Sequence, residues 1–163
     1  MTMQVPDTCM FDGRKWAVEH WHGDLSMIPL NTQLGINTVM DSTANWSGRV
    51  DHFIVHRGRL YLLKVEVNLA EDCRDKLPNG ANREVVFRYE KMWTSDMQEV
   101  INEYRFEYFV FHDLFIPYTG DLSLSYPCID FWEQPDDDND DSDDRKEMSL
   151  SFEDGVLIEV GEF

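Results

Sequence analysis

At 163 residues, 42% of them hydrophobic, the chain suits one domain around one core and is too apolar to remain disordered throughout. Its 32 acidic side chains against 14 basic ones give a net charge of −18, which argues against direct binding of nucleic acid or of anionic lipid, since both are held by Lys and Arg. Seven of the acids fall between Asp136 and Asp144, so the rest of the chain still carries −11 and is suited to a basic protein partner.

The predicted elements are almost all strands. Cys9 to Phe11 and Lys15 to His20 flank Asp12-Gly13, a dipeptide that suits a tight hairpin turn. Asp51 to His56 and Arg59 to Leu69 are joined across Arg57-Gly58. In the second of these runs Tyr61, Leu63, Val65, Val67 and Leu69 fall on one face and Lys64, Glu66 and Asn68 on the other, which predicts a half-buried strand with those five inward. Ala70 to Asn82, with Pro78-Asn79-Gly80, reads as a loop, and Arg83 to Tyr89 as a short strand. Thr94 to Tyr104 predicts the one clear helix: Thr94 or Ser95 caps it, and Met97, Val100, Ile101 and Tyr104 sit at helical spacing.

Beyond it, Arg105 to Phe111 is dense in strand formers, Leu122 to Tyr126 alternates Leu with Ser, and Cys128 to Glu133 is at most a turn. The Asp-rich run that follows has no apolar residue and its charges repel, so a disordered loop is expected at about 135–146. Met148 to Phe152 and Val156 to Val160 form a last hairpin around Asp154-Gly155. A hairpin alone is marginally stable, so it should dock back on the main sheet and make 1–163 a single domain. The expected fold is mainly β to α+β: antiparallel hairpins forming one sheet or barrel-like core, with one or two short helices.

The start of the chain has neither the basic nor the apolar stretch of a signal peptide, and no stretch has the length and apolarity of a membrane-spanning helix. Cys9, Cys73 and Cys128 are odd in number and lack metal-ligand spacing. Together these predict a cytoplasmic protein with reduced thiols, in which Asn45-Trp46-Ser47 matches a glycosylation sequon by coincidence.

Candidate sites are few. Asp136, Asp137, Asp138, Asp140, Asp141, Asp143 and Asp144 are the candidate partner-binding residues, as an acidic surrogate for nucleic acid in a basic groove. Asp136, Asp138, Asp140 and Glu147 have the spacing of a calcium loop, but Asp141 stands where the sharp turn needs glycine. His20, His22 and Asp24 (in HWHGD) are weak metal candidates, because alternate strand positions share a face, yet two histidines do not complete a site.

Asp51, Lys64 and Glu66 invite comparison with metal-dependent nucleases, with the Glu and Lys in reversed order. Ser42-Thr43 with His52 or His56 offers a nucleophile and a base, without a nucleophile elbow. No catalytic residue and no cofactor is assigned. Aromatic clusters at Trp16 and Trp21, Trp46, Trp93, Tyr104 to Phe115 and Phe131-Trp132 supply core, and any exposed members supply anchors for a protein partner.

The segments Ser42 to Gly48 (STANWSG), Asp51 to Leu69, Pro117 to Leu122 (PYTGDL) and Leu150 to Leu157 (LSFEDGVL) resemble, in the same order, a family of small uncharacterised bacterial proteins. The chain departs from that pattern at Asn45 and Ser47, in place of Cys and Arg, and in carrying the Asp run as an insertion. The resemblance implies a compact fold and no activity. The function expected is that of a non-enzymatic acidic binding protein, an inhibitor or immunity-type protein that neutralises a basic partner. The alternatives are a small metal-binding protein or enzyme using HWHGD, and an accessory structural subunit.

Overall fold

The structure, a computed structural model, describes residues 6–29, 38, 49–69, 71, 75–78, 80–128 and 145–162. Their strands are β1 (Thr8–Phe11), β2 (Arg14–Gly23), β3 (Arg49–His56), β4 (Arg59–Val67), β5 (Ala81–Trp93), β6 (Glu99–Phe115), β7 (Gly120–Tyr126), β8 (Lys146–Glu153) and β9 (Val156–Glu162). A 3-10 turn, Leu25–Met27, follows β2. The strands form one sheet in the order β3-β1-β2-β7-β8-β9-β4-β6-β5. Because β3 also pairs with β4, seven strands close into a barrel, and β6 and β5 extend from it as extra strands. The fold is mainly β, as the alternation of side chains predicts.

Three hairpins turn on residues with positive φ at both central positions, Asp12-Gly13, Arg57-Gly58 and Asp154-Gly155. This is the geometry whose twist matches the flanking strands. The last of them also closes the barrel. Leu60 N–H donates to Gly155 O (2.9 Å), Gly155 N–H to Tyr118 O (2.8 Å) and Leu157 N–H to Gly58 O (2.7 Å). A Cβ at Gly155 would lie 2.5 Å from both Ile116 O and the Phe115 ring, so the closure depends on glycine there. The terminal hairpin thus docks on the sheet, with β8 on β7 and the start of β9 on β4.

Bulges decide which side chains enter the core. In β4 the pairing with β3 slips between Leu62 and Lys64, which lie opposite Phe53 and His52. The extra residue, Leu63, reverses the alternation. Leu60 and Leu62 are therefore buried before it and Val65 and Val67 after it, so Tyr61 and Leu63 do not face the core as strict alternation predicts. In β2 the slip falls between Val18 and His20, with Glu19 as the extra residue. Trp16 is buried ahead of it, and beyond it Trp21 packs on the core edge-on to Phe53 and Tyr118, while His20 and His22 are exposed. Trp16, Phe53, Phe109, Tyr118, Leu122 and Leu150 are among the large side chains that fill the interior.

The helix expected at Thr94 to Tyr104 is absent. Residues from Glu99 belong to the 17-residue strand β6, and Thr94 to Gln98 form the turn of a long hairpin, with Met97 at φ 60°. Its thirteen consecutive pairs run without a bulge from Ala81↔Phe111 to Trp93↔Glu99. Ala81 and Asn82, expected in the preceding loop, open β5. The loop expected at about 135–146 lies, up to Asp144, outside the described residues, as do Ser42 to Gly48, and at its far end Lys146 already opens β8. The strands that flank the run are nonetheless in register, Tyr126 opposite Lys146. A long connection between paired ends costs little more in loop entropy than a short one.

Candidate functional site

The β5–β6 hairpin outgrows the barrel. β4 pairs with β6 only from Glu107 to Phe115, so the eight pairs from Val86↔Phe106 to Trp93↔Glu99 project as a two-stranded arm. At the usual rise it is about 24 Å long. Opposed residues share a face, which sets Phe87, Tyr89, Lys91 and Trp93 with Arg105, Glu103, Ile101 and Glu99 on one side. Val86, Arg88, Glu90 and Met92 lie with Phe106, Tyr104, Asn102 and Val100 on the other.

Neither side is covered by described residues. Tyr89 is 62% exposed, Trp93 63%, Ile101 63% and Met97 80%. Isolated exposed hydrophobics are ordinary, but a ribbon of this length carrying them on both faces is the composition of an interaction surface. Charged and polar side chains interleave and hold the aromatic ones in place. Lys91 bridges Glu99 at 3.2 Å and lies over the Trp93 ring. Arg88 lies over Phe106, and Tyr104 OH donates to a Glu90 carboxylate oxygen at 3.1 Å, which raises the Tyr104 pKa. From Val86 to Phe106 there are three basic and four acidic residues, a net charge of −1 on a chain of −18.

The candidates read from sequence fare differently. The partner-binding residues Asp136, Asp137, Asp138, Asp140, Asp141, Asp143 and Asp144 lie outside the described residues, as do Ser42 and Thr43. His20 and His22 do share a face, their rings 5.8 Å apart between centroids. Asp24, however, caps the 3-10 turn: its carboxylate accepts the Ser26 N–H at 2.9 Å, a bond that lowers its pKa. Among the described residues no three His, Cys, Asp or Glu side chains cluster as metal ligands.

The nuclease-like set does not assemble. Asp51 is opposite Val65 and buried on the core side, where Arg49 grips both its oxygens at 2.6 and 3.1 Å. Lys64 and Glu66 are on the other face, Lys64 lying 4.7 Å from the centre of the Tyr108 ring. His52 is tied to the Thr8 hydroxyl at 2.6 Å, and His56 ends β3 in solvent. Cys9 is buried, its thiol pushed up to about 12 by desolvation, which makes it inert.

Sequence reasoning singled out Trp93 and the Tyr104 region as aromatic clusters but not the arm that carries them. The available signal was the stretch from Phe87 to Trp93, where both faces of a strand would mix apolar with charged residues.

No helix among the described residues is long and apolar enough to cross a membrane. No family model, curated protein or solved structure matches the chain.

Proposed function

We propose that this chain is a non-enzymatic protein-binding module, an inhibitor or immunity-type protein that neutralises a basic protein partner. The observation that carries the reading is the arm, with Tyr89, Trp93 and Ile101 presented to solvent on one face of a ribbon projecting from a filled barrel. Aromatic side chains on a short-reach, hydrogen-bonded ribbon are economical anchors, because few rotamers are lost when they are buried.

The acidity supplies the second half. A net charge of −18 attracts a basic surface and speeds its arrival, and the seven aspartates between Asp136 and Asp144 are the densest negative segment of the chain. Carboxylates then occupy a groove meant for phosphates while the arm's aromatics anchor the contact. No cofactor or catalytic group enters this mechanism.

The test is a quantitative pull-down from the lysate of the source cells, with the wild type compared with Tyr89→Ala/Trp93→Ala at low and at high salt. The reading expects a basic protein that the wild type retains, that the double variant loses, and whose capture weakens as salt rises. Retention of the same proteins by both baits, or of no basic protein at all, would sink it.

A further inference from the structure

We propose that the free edge of β5 pairs with the same edge of a second copy of this chain, joining two arms into a four-stranded sheet ordered β6-β5-β5-β6. Among the described residues β5 pairs only with β6 and ends the sheet, leaving thirteen residues of regular edge with no bulge and no proline. Such an edge is a template for another strand, and folds that keep one alone usually interrupt it. A two-stranded ribbon is also marginal by itself, and a four-stranded one is not.

Charge chooses the occupant and the register. Two copies of a chain carrying −18 repel, so they meet best through the segment whose own charge is −1, the arm. Antiparallel strands related by a two-fold axis normal to the sheet place a residue opposite its own copy at the centre, with like-facing residues opposed on either side. Centring on Phe87 sets Glu84 against Glu90 and Arg83 against Lys91. Centring on Arg88, Glu90 or Lys91 sets that residue against itself. Only Val86 and Tyr89 as centres avoid every like-charge pair and also oppose opposite charges.

The base of the strand separates these two. There Arg83 donates to the Lys76 carbonyl at 2.7 Å and Ala81 N–H to Pro78 O at 3.1 Å, so the 75–78 segment lies against the residues a Val86-centred pairing needs. A Tyr89-centred pairing runs only from Val85 to Trp93. It opposes Tyr89 to Tyr89, Arg88 to Glu90, Phe87 to Lys91, Val86 to Met92 and Val85 to Trp93, all but the first occurring twice. Each barrel's base would then lie four residues, about 14 Å, from the axis on opposite sides. That separation exceeds the roughly 8 Å over which charges act at physiological salt. The arm faces remain open, so the inference does not rest on the basic-partner reading.

Sedimentation equilibrium of the full chain tests it. The wild type should approach twice the 19.2 kDa chain mass as concentration rises. Arg88→Glu, which opposes Glu to Glu twice, should weaken the dimer by tenfold or more (about 1.4 kcal/mol or more in the constant). Adding Glu90→Arg to it should restore dimerisation. Tyr89→Cys should cross-link as a disulfide dimer under mild oxidation, and Val86→Cys should not exceed the wild type. A wild type that stays monomeric at every concentration, open-ended polymers, a double variant no better than Arg88→Glu, or cross-linking at Val86→Cys instead of Tyr89→Cys would each overturn the proposal. Circular dichroism of each variant separates loss of pairing from loss of fold, and the cysteine pair remains decisive should Arg88→Glu misfold.

Discussion

Asp7 shows how one carboxylate serves the closure of the fold at a cost. Its backbone carbonyl accepts the Val18 N–H (2.8 Å) and its side chain accepts the Asp51 N–H (2.9 Å), so it pins the start of β1 between β2 and β3. Burial, and next the neighbouring Asp51 carboxylate, push its pKa up to about 6. The folded chain therefore holds a proton between the ordinary value of 3.8 and about 6 that the unfolded chain releases. Stability from Asp7 is fully present below the lower value and is lost as pH rises through the upper one. Asp7→Asn keeps an oxygen acceptor for Asp51 N–H and removes the charge. It should stabilise the protein by about 1–2 kcal/mol at pH 7. The gain should shrink toward zero near pH 4 in denaturant titrations, and a gain that is equal at both pH values would refute the assignment.

Among the elements, the barrel and the arm obey different rules, and that difference separates what was legible from what was not. Strands with a buried face announce themselves: Leu122 and Leu124 are inside while Ser123 and Ser125 are less buried, and Met148, Leu150 and Phe152 repeat the pattern. Turn chemistry placed three hairpins correctly at Asp12-Gly13, Arg57-Gly58 and Asp154-Gly155. Bulges at Leu63 and Glu19 were not legible, because an extra residue leaves composition unchanged while reversing every later side chain. The arm was legible only at its base, where Arg83 to Tyr89 and Arg105 to Phe111 read as strands; its outer part, Thr94 to Tyr104, read as a helix. With neither face buried, nothing imposes a period of two, and the chance spacing of Met97, Val100, Ile101 and Tyr104 imitates a helix. The same exposure makes the arm separable. Replacing Arg88 to Tyr104 by Asn-Gly, which joins the opposed pair Phe87 and Arg105 through a two-residue turn, should leave the barrel's unfolding free energy within about 1 kcal/mol. A larger loss in urea melts would show that the arm packs on the barrel, against the free ribbon described above.

At the scale of the whole molecule, the proposed complex with a basic partner would divide the work of binding between charge and arm, one for each rate constant. Long-range attraction acts before contact and sets association, whereas buried anchors act after contact and set dissociation. The run from Asp136 to Asp144 holds seven of the 32 acids in nine residues and lies between strands already paired at Tyr126 and Lys146, so removing it takes charge away without taking a barrel strand. With a basic partner identified by pull-down, deletion of that run should slow association several-fold at low salt, have little effect at high salt, and leave dissociation unchanged. Trp93→Ala should do the reverse, speeding dissociation by about tenfold or more while association stays within a factor of two or so. Surface plasmon resonance at two ionic strengths resolves both constants. If deleting the run instead speeds dissociation, and Trp93→Ala changes nothing, the aspartates are the docking contact and the arm serves another purpose, of which pairing with its own copy is the one the edge of β5 already suggests.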